Sequence, residues 1–322
     1  MNDKKNNINK SLEKFPLVSV VVPTYNHSSY ISDCLKSITS QDYPNIELIV
    51  INDGSTDKTD EVIKKFISET DFEIKYTTKK NEGVGKTMSL GLKQASGEYF
   101  CELCSDDLLP PTSISRRVEY MEAHKSADVV FGRIRAIDAQ GVLIEPSGDK
   151  EKPGFDSELH TFEEFVQNKA IITFHTGMSR TSALREVGGF DEDFYTEDTY
   201  IRYLLVVFKE VAFLDEPVVD YRHHGTNISK GKPFWMRSEK ILSFEKLLSR
   251  VEEISEKVEL RNIIKEQLFS ELLKYLKIGF KVGEKRMALA IRLKKALGLR
   301  PLSLKANYYR LKLASYNKES GV

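Results

Sequence analysis

Short apolar runs, each broken by a polar segment, set the narrowest limits on this chain. Leu17–Val22 and Ile46–Ile51 are nearly continuous and rich in β-branched residues, the pattern of strands covered on both faces. Phe72–Thr77, Glu98–Leu103 and Asp128–Ile134 read as further strands. Between them, Ile31, Leu35 and Ile38, and then Val62, Ile63, Phe66 and Ile67, recur at helical spacing, and Met88–Ala95 reads as another helix. Strand and helix alternating at this interval predict parallel βαβ units, hence an α/β fold. Open parallel sheets bind ligands at the carboxyl ends of their strands. Pro23–Tyr25, Asn52–Gly54 and Cys104–Asp107 all fall at such ends and are expected to meet at one crevice.

The second half reads differently. Phe162–Asn168 reads as a short helix, and Thr173–Gly189 as a loop-rich stretch holding His175, Gly177 and Arg180. Thr196–Phe208 reads as a helix with Tyr200, Tyr203, Leu204 and Val207 on one face. From Trp235 onward the pattern is helical, broken at Gly279, Gly283 and Gly298–Pro301. The expected organisation is a flexible leader over residues 1–16, an α/β domain over 17–232, and a helical region with a basic tail over 233–322.

Composition excludes several classes. The 322 residues carry 48 Lys and Arg against 48 Asp and Glu, an ordinary globular balance rather than a disordered or collagen-like one. No run of 18 apolar residues predicts a membrane-spanning helix, and Met1–Lys14 lacks the apolar core of a secretory signal. Three cysteines, Cys34, Cys101 and Cys104, give no disulfide framework, which fits a reducing compartment and a cytoplasmic location. The neutral total hides an asymmetry. From Leu273 to Val322, 13 basic residues face 2 acidic ones, leaving 35 basic and 46 acidic in the preceding part.

Five polar segments are able to carry chemistry. Asp106 and Asp107 follow a strand directly, and two adjacent carboxylates there suit Mg²⁺ or Mn²⁺ shared with a substrate diphosphate; a solvated turn ahead of Pro110-Pro111 accounts for them equally well. Asp53 sits in Asn52-Asp53-Gly54-Ser55, which is common turn chemistry and also offers an acceptor to a nucleobase N–H. Asp198 opens a helix, where a carboxylate is electrostatically favoured and where it could also act as a general base. Gly83-Val84-Gly85 opens a helix with Lys86 just inside, a phosphate-binding arrangement in kind, without the spacing of a P-loop or a dinucleotide fingerprint. The pair His223-His224 offers metal or phosphate contacts or plain polar surface. Cys101-x-x-Cys104 lacks the second pair that a zinc site needs.

Taken in order, these segments resemble family 2 glycosyltransferases. The match runs through Val18–Asn26, Ile49–Asp57, Asn81–Gly83, Ala95–Tyr99, Ser105–Asp107 with Pro111, Val187–Glu192, Glu197-Asp198 with Arg202, and Tyr221–His224 with Asn227 and Ser229, covering roughly 17–230. The resemblance implies a GT-A fold, a Rossmann-like and mostly parallel sheet flanked by helices, here with a C-terminal α-helical extension. It implies an inverting transfer of a hexosyl or N-acetylhexosaminyl group from a nucleotide-sugar donor, UDP being the family's commonest nucleotide, to a glycan, lipid-linked or protein acceptor. Pro23, Thr24, Tyr25, Asp53, Gly83, Lys86 and Ser105 would line the donor nucleotide site. Asp106 and His224 would hold Mn²⁺ or Mg²⁺, and Asp198 would be the base. Asp107, His175, Arg180, Glu197 and Arg202 would contact acceptor or diphosphate. Two departures stand out: Cys104 replaces the first Asp of the family's Asp-x-Asp motif, and Asn52 replaces a frequent Asp.

Two other functions fit the nucleotide-binding half: nucleotidyl transfer, which would release pyrophosphate, and non-catalytic binding of a nucleotide sugar. Ile241–Leu273 reads as a helical hairpin packed on the preceding domain or on another subunit, as in a homo-oligomer. The basic tail interleaves Lys and Arg with Leu, Ile and Tyr (Ile291–Lys295, Tyr308–Leu313), which suits peripheral contact with the anionic inner face of the cytoplasmic membrane and also an ordinary solvated face. Nucleic acid is not expected, since no recognition module is present and the body is acidic.

Overall fold

A computed structural model of the chain describes residues 15–144, 174–194, 198–225, 227, 233–252 and 258–279. The chain divides into two compact units, residues 1–230 and 231–322. The expected helix at 162–168 and the tail beyond 279 lie outside the described residues.

The first unit is built on a seven-stranded sheet in the order β3-β2-β1-β4-β6-β5-β7. Its strands are β1 (Val18–Thr24), β2 (Ile46–Asn52), β3 (Ile74–Thr78), β4 (Tyr99–Glu102), β5 (Val129–Ile137), β6 (Gly177–Arg180) and β7 (Val211–Arg222). The helices are α1 (Ile31–Thr39), α2 (Thr59–Glu69), α3 (Val84–Gln94), α4 (Ser113–Ala123), α5 (Thr181–Glu186) and α6 (Asp198–Phe208). β1, β2, β3 and β4 run parallel, β6 lies antiparallel to both β4 and β5, and β7 is parallel to β5 at the edge.

Every residue of β1 is buried, as expected of a central strand with helices on both faces. Val18, Val20 and Val22 share a core with Ile31, Leu35 and Ile38 of α1 and with Ile114, Val118 and Met121 of α4. On the opposite face α3 approaches β1 so closely that a Cβ on Gly91 would lie 2.5 Å from the Val21 side chain. Pro23 lies inside β1 at no cost to the ladder. β4 stops opposite Val21, whose carbonyl takes the Leu103 N–H, so the amide that proline lacks faces the side where pairing has ended.

The chain winds outward from β1 to β2 and β3, then crosses back to place β4 on the other side of β1. The carboxyl ends of β1, β2 and β4 lie side by side at one end of the sheet, the position of the ligand crevice in open parallel sheets.

β6 and β7 are strands that the sequence pattern does not predict. β6 has four residues, too few to show a period. β7 is an edge strand interrupted by Asp215-Glu216-Pro217, and its register with β5 shifts on either side of Arg133. An edge tolerates both proline and a bulge.

The second unit holds α7 (Pro233–Glu252) and α8 (Val258–Gly279), which pack on each other as a helical hairpin. Ile241, Phe244, Leu248, Ile264 and Leu268 are buried, and Lys240 pairs with Glu271 at 3.4 Å.

At the end of the sheet away from the crevice, Glu47 of β2 ties three segments together. Its carboxylate accepts from the Ser96 amide (2.9 Å), the Ser96 and Ser19 hydroxyls and the Lys75 ammonium. Burial pushes its pKa up, but the donors outweigh that and hold it near 2, below the ordinary 4.5. A carboxylate with a depressed folded pKa stabilises fully above its unfolded pKa and progressively less as pH falls toward the folded value. Glu47→Gln is expected to lower stability at pH 7 by about 1–3 kcal/mol. In urea titrations its deficit against wild type should shrink from pH 4.5 toward pH 2.

Candidate active site

The loop after β1 is shaped by one left-handed residue. Asn26 has φ 55°, a conformation that asparagine tolerates better than most residues. Its side-chain oxygen accepts from the Thr56 amide at 2.8 Å, while the amides of His27 and Ser28 donate to Thr59 and Asp57. The loops after β1 and β2 are thereby laced together, and His27 is fixed above the end of the sheet.

Asp53 follows β2. Its amide donates to Thr24 O at 2.9 Å, and its carboxylate accepts from the amides of Glu82 (3.0 Å) and Gly83 (2.9 Å) and from the Lys79 ammonium. Gly54 has φ +72°, and a Cβ there would stand 2.6 Å from Asn81 N. The turn at 52–55 is thus pressed against the loop that leads into α3. Gly83 and Lys86 sit at the start of that helix, with Lys86 3.5 Å from Glu82. The residue expected to face a nucleobase spends much of its hydrogen-bonding capacity on shaping the 79–83 loop.

Beyond β4 the chain turns through Ser105, Asp106 and Asp107. Ser105 Oγ is 2.7 Å from His27 Nδ1. Asp106 Oδ2 lies 2.9 Å from His224 Nε2 and 3.9 Å from His27 Nε2. Asp107 points inward: its Oδ1 accepts the Arg222 amide at 2.8 Å, and its buried Oδ2 has no hydrogen-bond partner. Burial, followed by the neighbouring Asp106 charge, pushes the Asp107 carboxyl well above the usual range.

His224 arrives from β7. Leu108 and Asp220 exchange backbone hydrogen bonds, Arg222 donates through Nε to Asp106 O (2.7 Å), and Asn227 accepts the His224 amide (2.7 Å). The Tyr30 ring lies 4.6 Å from that of His224.

His175 occupies a short 3₁₀ turn, Phe174–Thr176, ahead of β6, and its ring stacks against Tyr221. Burial lowers its pKa to about 4; the charges of Asp198 and Asp106 oppose that fall and Arg202 adds to it. The ring is neutral at pH 7 and within electrostatic reach of carboxylates on two distant elements. Asp198 is the first residue of α6, with Arg202 one turn further along.

Pro23, Thr24 and Tyr25 stand at the end of β1; Thr24 is buried and Tyr25 is exposed. Glu197 lies outside the described residues. Arg180 lies apart from these residues. It pairs with Tyr99, the first residue of β4, and its guanidinium contacts Ala127 O and Glu98 at the end of β4 opposite Asp106. It braces the sheet there. His27 is a site residue that sequence reasoning missed: nothing in its local sequence sets it apart, and only the lacing of the two loops brings it to Asp106. Among the described residues, His27, Asp106 and His224 place one potential ligand atom each within 4.8 Å of one another, and Cys104, Asp106 and Asp107 do likewise. Two imidazoles and a carboxylate suit a divalent cation.

The profile of Glycosyl transferase family 2 matches residues 19–188. The chain belongs to glycosyl transferase family 2. A glycosyltransferase of Haemophilus influenzae is 43% identical over 233 residues, 68% of this chain and 69% of that protein. One of Rickettsia typhi is 30% identical over 214 residues, 65% of this chain and 64% of that protein, so the match spans somewhat less than two thirds of its length. Among solved structures, residues 1–349 of Staphylococcus aureus TarS in complex with UDP-GlcNAc superpose with TM-score 0.65 at 19% identity, covering 87% of this chain and 80% of that one. The mannosyltransferase PcManGT of Pyrobaculum calidifontis, in complex with GDP-Man and Mn²⁺, gives TM-score 0.54 at 17% identity, covering 92% and 84%. The fold is GT-A, a mostly parallel sheet flanked by helices. No described helix of this chain is long and apolar enough to cross a membrane.

The tie between Asp53 and the 79–83 loop is directly measurable. In Asp53→Ala the amides of Glu82 and Gly83 lose their acceptor, and their hydrogen exchange is expected to accelerate about tenfold or more, equivalent to at least ~1.4 kcal/mol of local stability. The core amides of β1 should keep their protection.

Proposed function

We propose that this chain transfers a sugar, with inversion at the anomeric carbon, from a nucleoside diphosphate sugar to an acceptor hydroxyl. The observation that carries this reading is His175. Its buried ring lies close enough to Asp106, beside His224, and to Asp198, at the head of α6, for both carboxylate charges to act on it, which supports a shared site. The donor bound by TarS and the donor and Mn²⁺ bound by PcManGT support a nucleotide sugar and a divalent cation here. UDP is the nucleotide proposed, with a glycan, lipid-linked or protein hydroxyl as acceptor.

Asp198 stands as the base. The acceptor hydroxyl forms its bond to the anomeric carbon from the face opposite the diphosphate while its proton passes to the Asp198 carboxylate. The bond from carbon to diphosphate oxygen breaks, and its electron pair leaves with the diphosphate. Asp106 and His224 would hold Mn²⁺ or Mg²⁺, which when bound supplies positive charge to the leaving diphosphate. Pro23, Thr24 and Tyr25 flank the nucleoside, and Asp53 shapes the loop beside it. Neutral His175 borders the acceptor side without adding a charge that would compete for the Asp198 carboxylate.

Asp198→Asn preserves shape and removes basicity. Release of free nucleoside diphosphate in the presence of acceptor should fall by about 10²–10⁴-fold, with donor affinity held within about threefold, a change of under ~1 kcal/mol. Full turnover in this variant would refute the assignment, and release of pyrophosphate instead would point to nucleotidyl transfer.

The basic tail is proposed to contact an anionic membrane surface. Co-sedimentation of the full chain with vesicles containing phosphatidylglycerol should be strong at low salt and lost at high salt. Replacing Lys294 and Lys295 by Glu should weaken it, and equal binding to neutral vesicles would count against the proposal.

A further inference from the structure

We propose that His27 is a metal ligand, completing with His224 and Asp106 a two-imidazole, one-carboxylate set that selects a first-row transition cation over Mg²⁺. The inference rests on the metal-assisted reading above and assigns it a residue outside the motifs that suggested that reading.

The ring orientations carry the argument. Nδ1 of His27 is engaged by Ser105 Oγ at 2.7 Å, which leaves Nε2 as the free end of the ring. That Nε2 points at Asp106 Oδ2 from 3.9 Å, too far for a hydrogen bond. His224 Nε2 addresses the same oxygen from 2.9 Å, and the two rings stand perpendicular at 6.1 Å. Donor atoms bound to one cation at about 2.1 Å stand between about 3 and about 4.2 Å apart, so the gap on the His27 side is of the size a shared cation fills. A ligating histidine normally has its other nitrogen fixed by a hydrogen bond, which Ser105 provides. The site is also built: His27 and Asp106 are only 20% and 13% exposed, and His224 2%.

The donor chemistry then sets the metal. Mg²⁺ prefers oxygen ligands and keeps its water, whereas imidazole nitrogen favours transition cations. Where the family's motif would place a second carboxylate, this chain has Cys104. Asp107 does not take over, since one of its oxygens holds the Arg222 amide and the side chain is buried. His27 supplies the missing ligand from the loop after β1 instead.

Mn²⁺ is the probe. The full chain, stripped by chelator, is titrated with Mn²⁺ with and without UDP while electron paramagnetic resonance reads free Mn²⁺ and pulsed measurements count ligating nitrogens. Wild type and Cys104→Ser should show two imidazole nitrogens and His27→Ala one, with Mn²⁺ affinity in His27→Ala lowered about tenfold or more. A tenfold excess of Mg²⁺, well inside the selectivity of about a hundredfold expected of nitrogen ligation, should leave most of the Mn²⁺ on wild type. One nitrogen or none in wild type under both conditions, or two in His27→Ala, would overturn the assignment. If His27→Ala does not fold, the wild-type nitrogen count and the Mg²⁺ competition decide alone. Two nitrogens on Mn²⁺ with no sugar transfer from any donor would sink the transferase reading and leave this one standing. Transfer with a single ligating nitrogen would do the reverse.

Discussion

The hydrogen bond from the Arg222 amide to the buried Asp107 carboxylate joins two parts of the sheet that sequence keeps 115 positions apart. β7 reaches the sheet as an edge strand paired only with β5, and its last residues have no ladder partner that would aim them at β4. Asp107, the Leu108–Asp220 backbone pair and the bond from Arg222 to Asp106 O supply that aim. Burying a carboxylate costs more than a single hydrogen bond returns, so the join makes poor sense as a stabilising device. It makes sense as a positioning one: it fixes the strand two residues before His224, and so sets where that imidazole meets Asp106.

The same logic governs Asp53. A carboxylate at the end of a parallel strand could face solvent or ligand. Here it collects two consecutive backbone amides and an ammonium from one loop. Gly54 permits this by lying in the left-handed region and by having no side chain to strike Asn81. The proposed nucleoside pocket would then have a wall held by backbone bonds, which reorganises little when a ligand arrives, and preorganisation of that kind is where binding free energy is conserved.

What the sequence reveals here follows from what is local. β1, β2 and β4 declare themselves because strands covered on both faces must be apolar throughout, and the helices between them because one stripe must be. Asp53, Asp106 and Asp198 stand out as candidates because each sits at the end of such an element, and the family resemblance orders them. The signal fails where structure depends on distant partners. β6 is four residues held between two neighbours, and β7 carries Asp215, Glu216 and Pro217 through an edge where no covering layer demands apolar residues. His27 has no pattern at all; its place comes from Asn26 binding the loop after β2. Arg180 shows the opposite case: its neighbourhood reads as a site loop, but β6 runs antiparallel to β4 and places it at the far end of the sheet.

These placements change the electrostatics of the crevice. With a thiol at position 104 and Asp107 turned inward, Asp106 is left as the carboxylate of that loop facing the histidines. A site with two ionised carboxylates attracts a cation mainly by charge, and so also attracts Mg²⁺ and other hard cations. A site with one carboxylate and two imidazoles depends on directional lone pairs. Charge attraction in a partly exposed site weakens as salt rises, whereas bonding to nitrogen does not. Exchanging an acidic ligand for imidazole therefore gives up electrostatic attraction and gains selectivity, and it leaves the crevice less repulsive toward the diphosphate that must enter it.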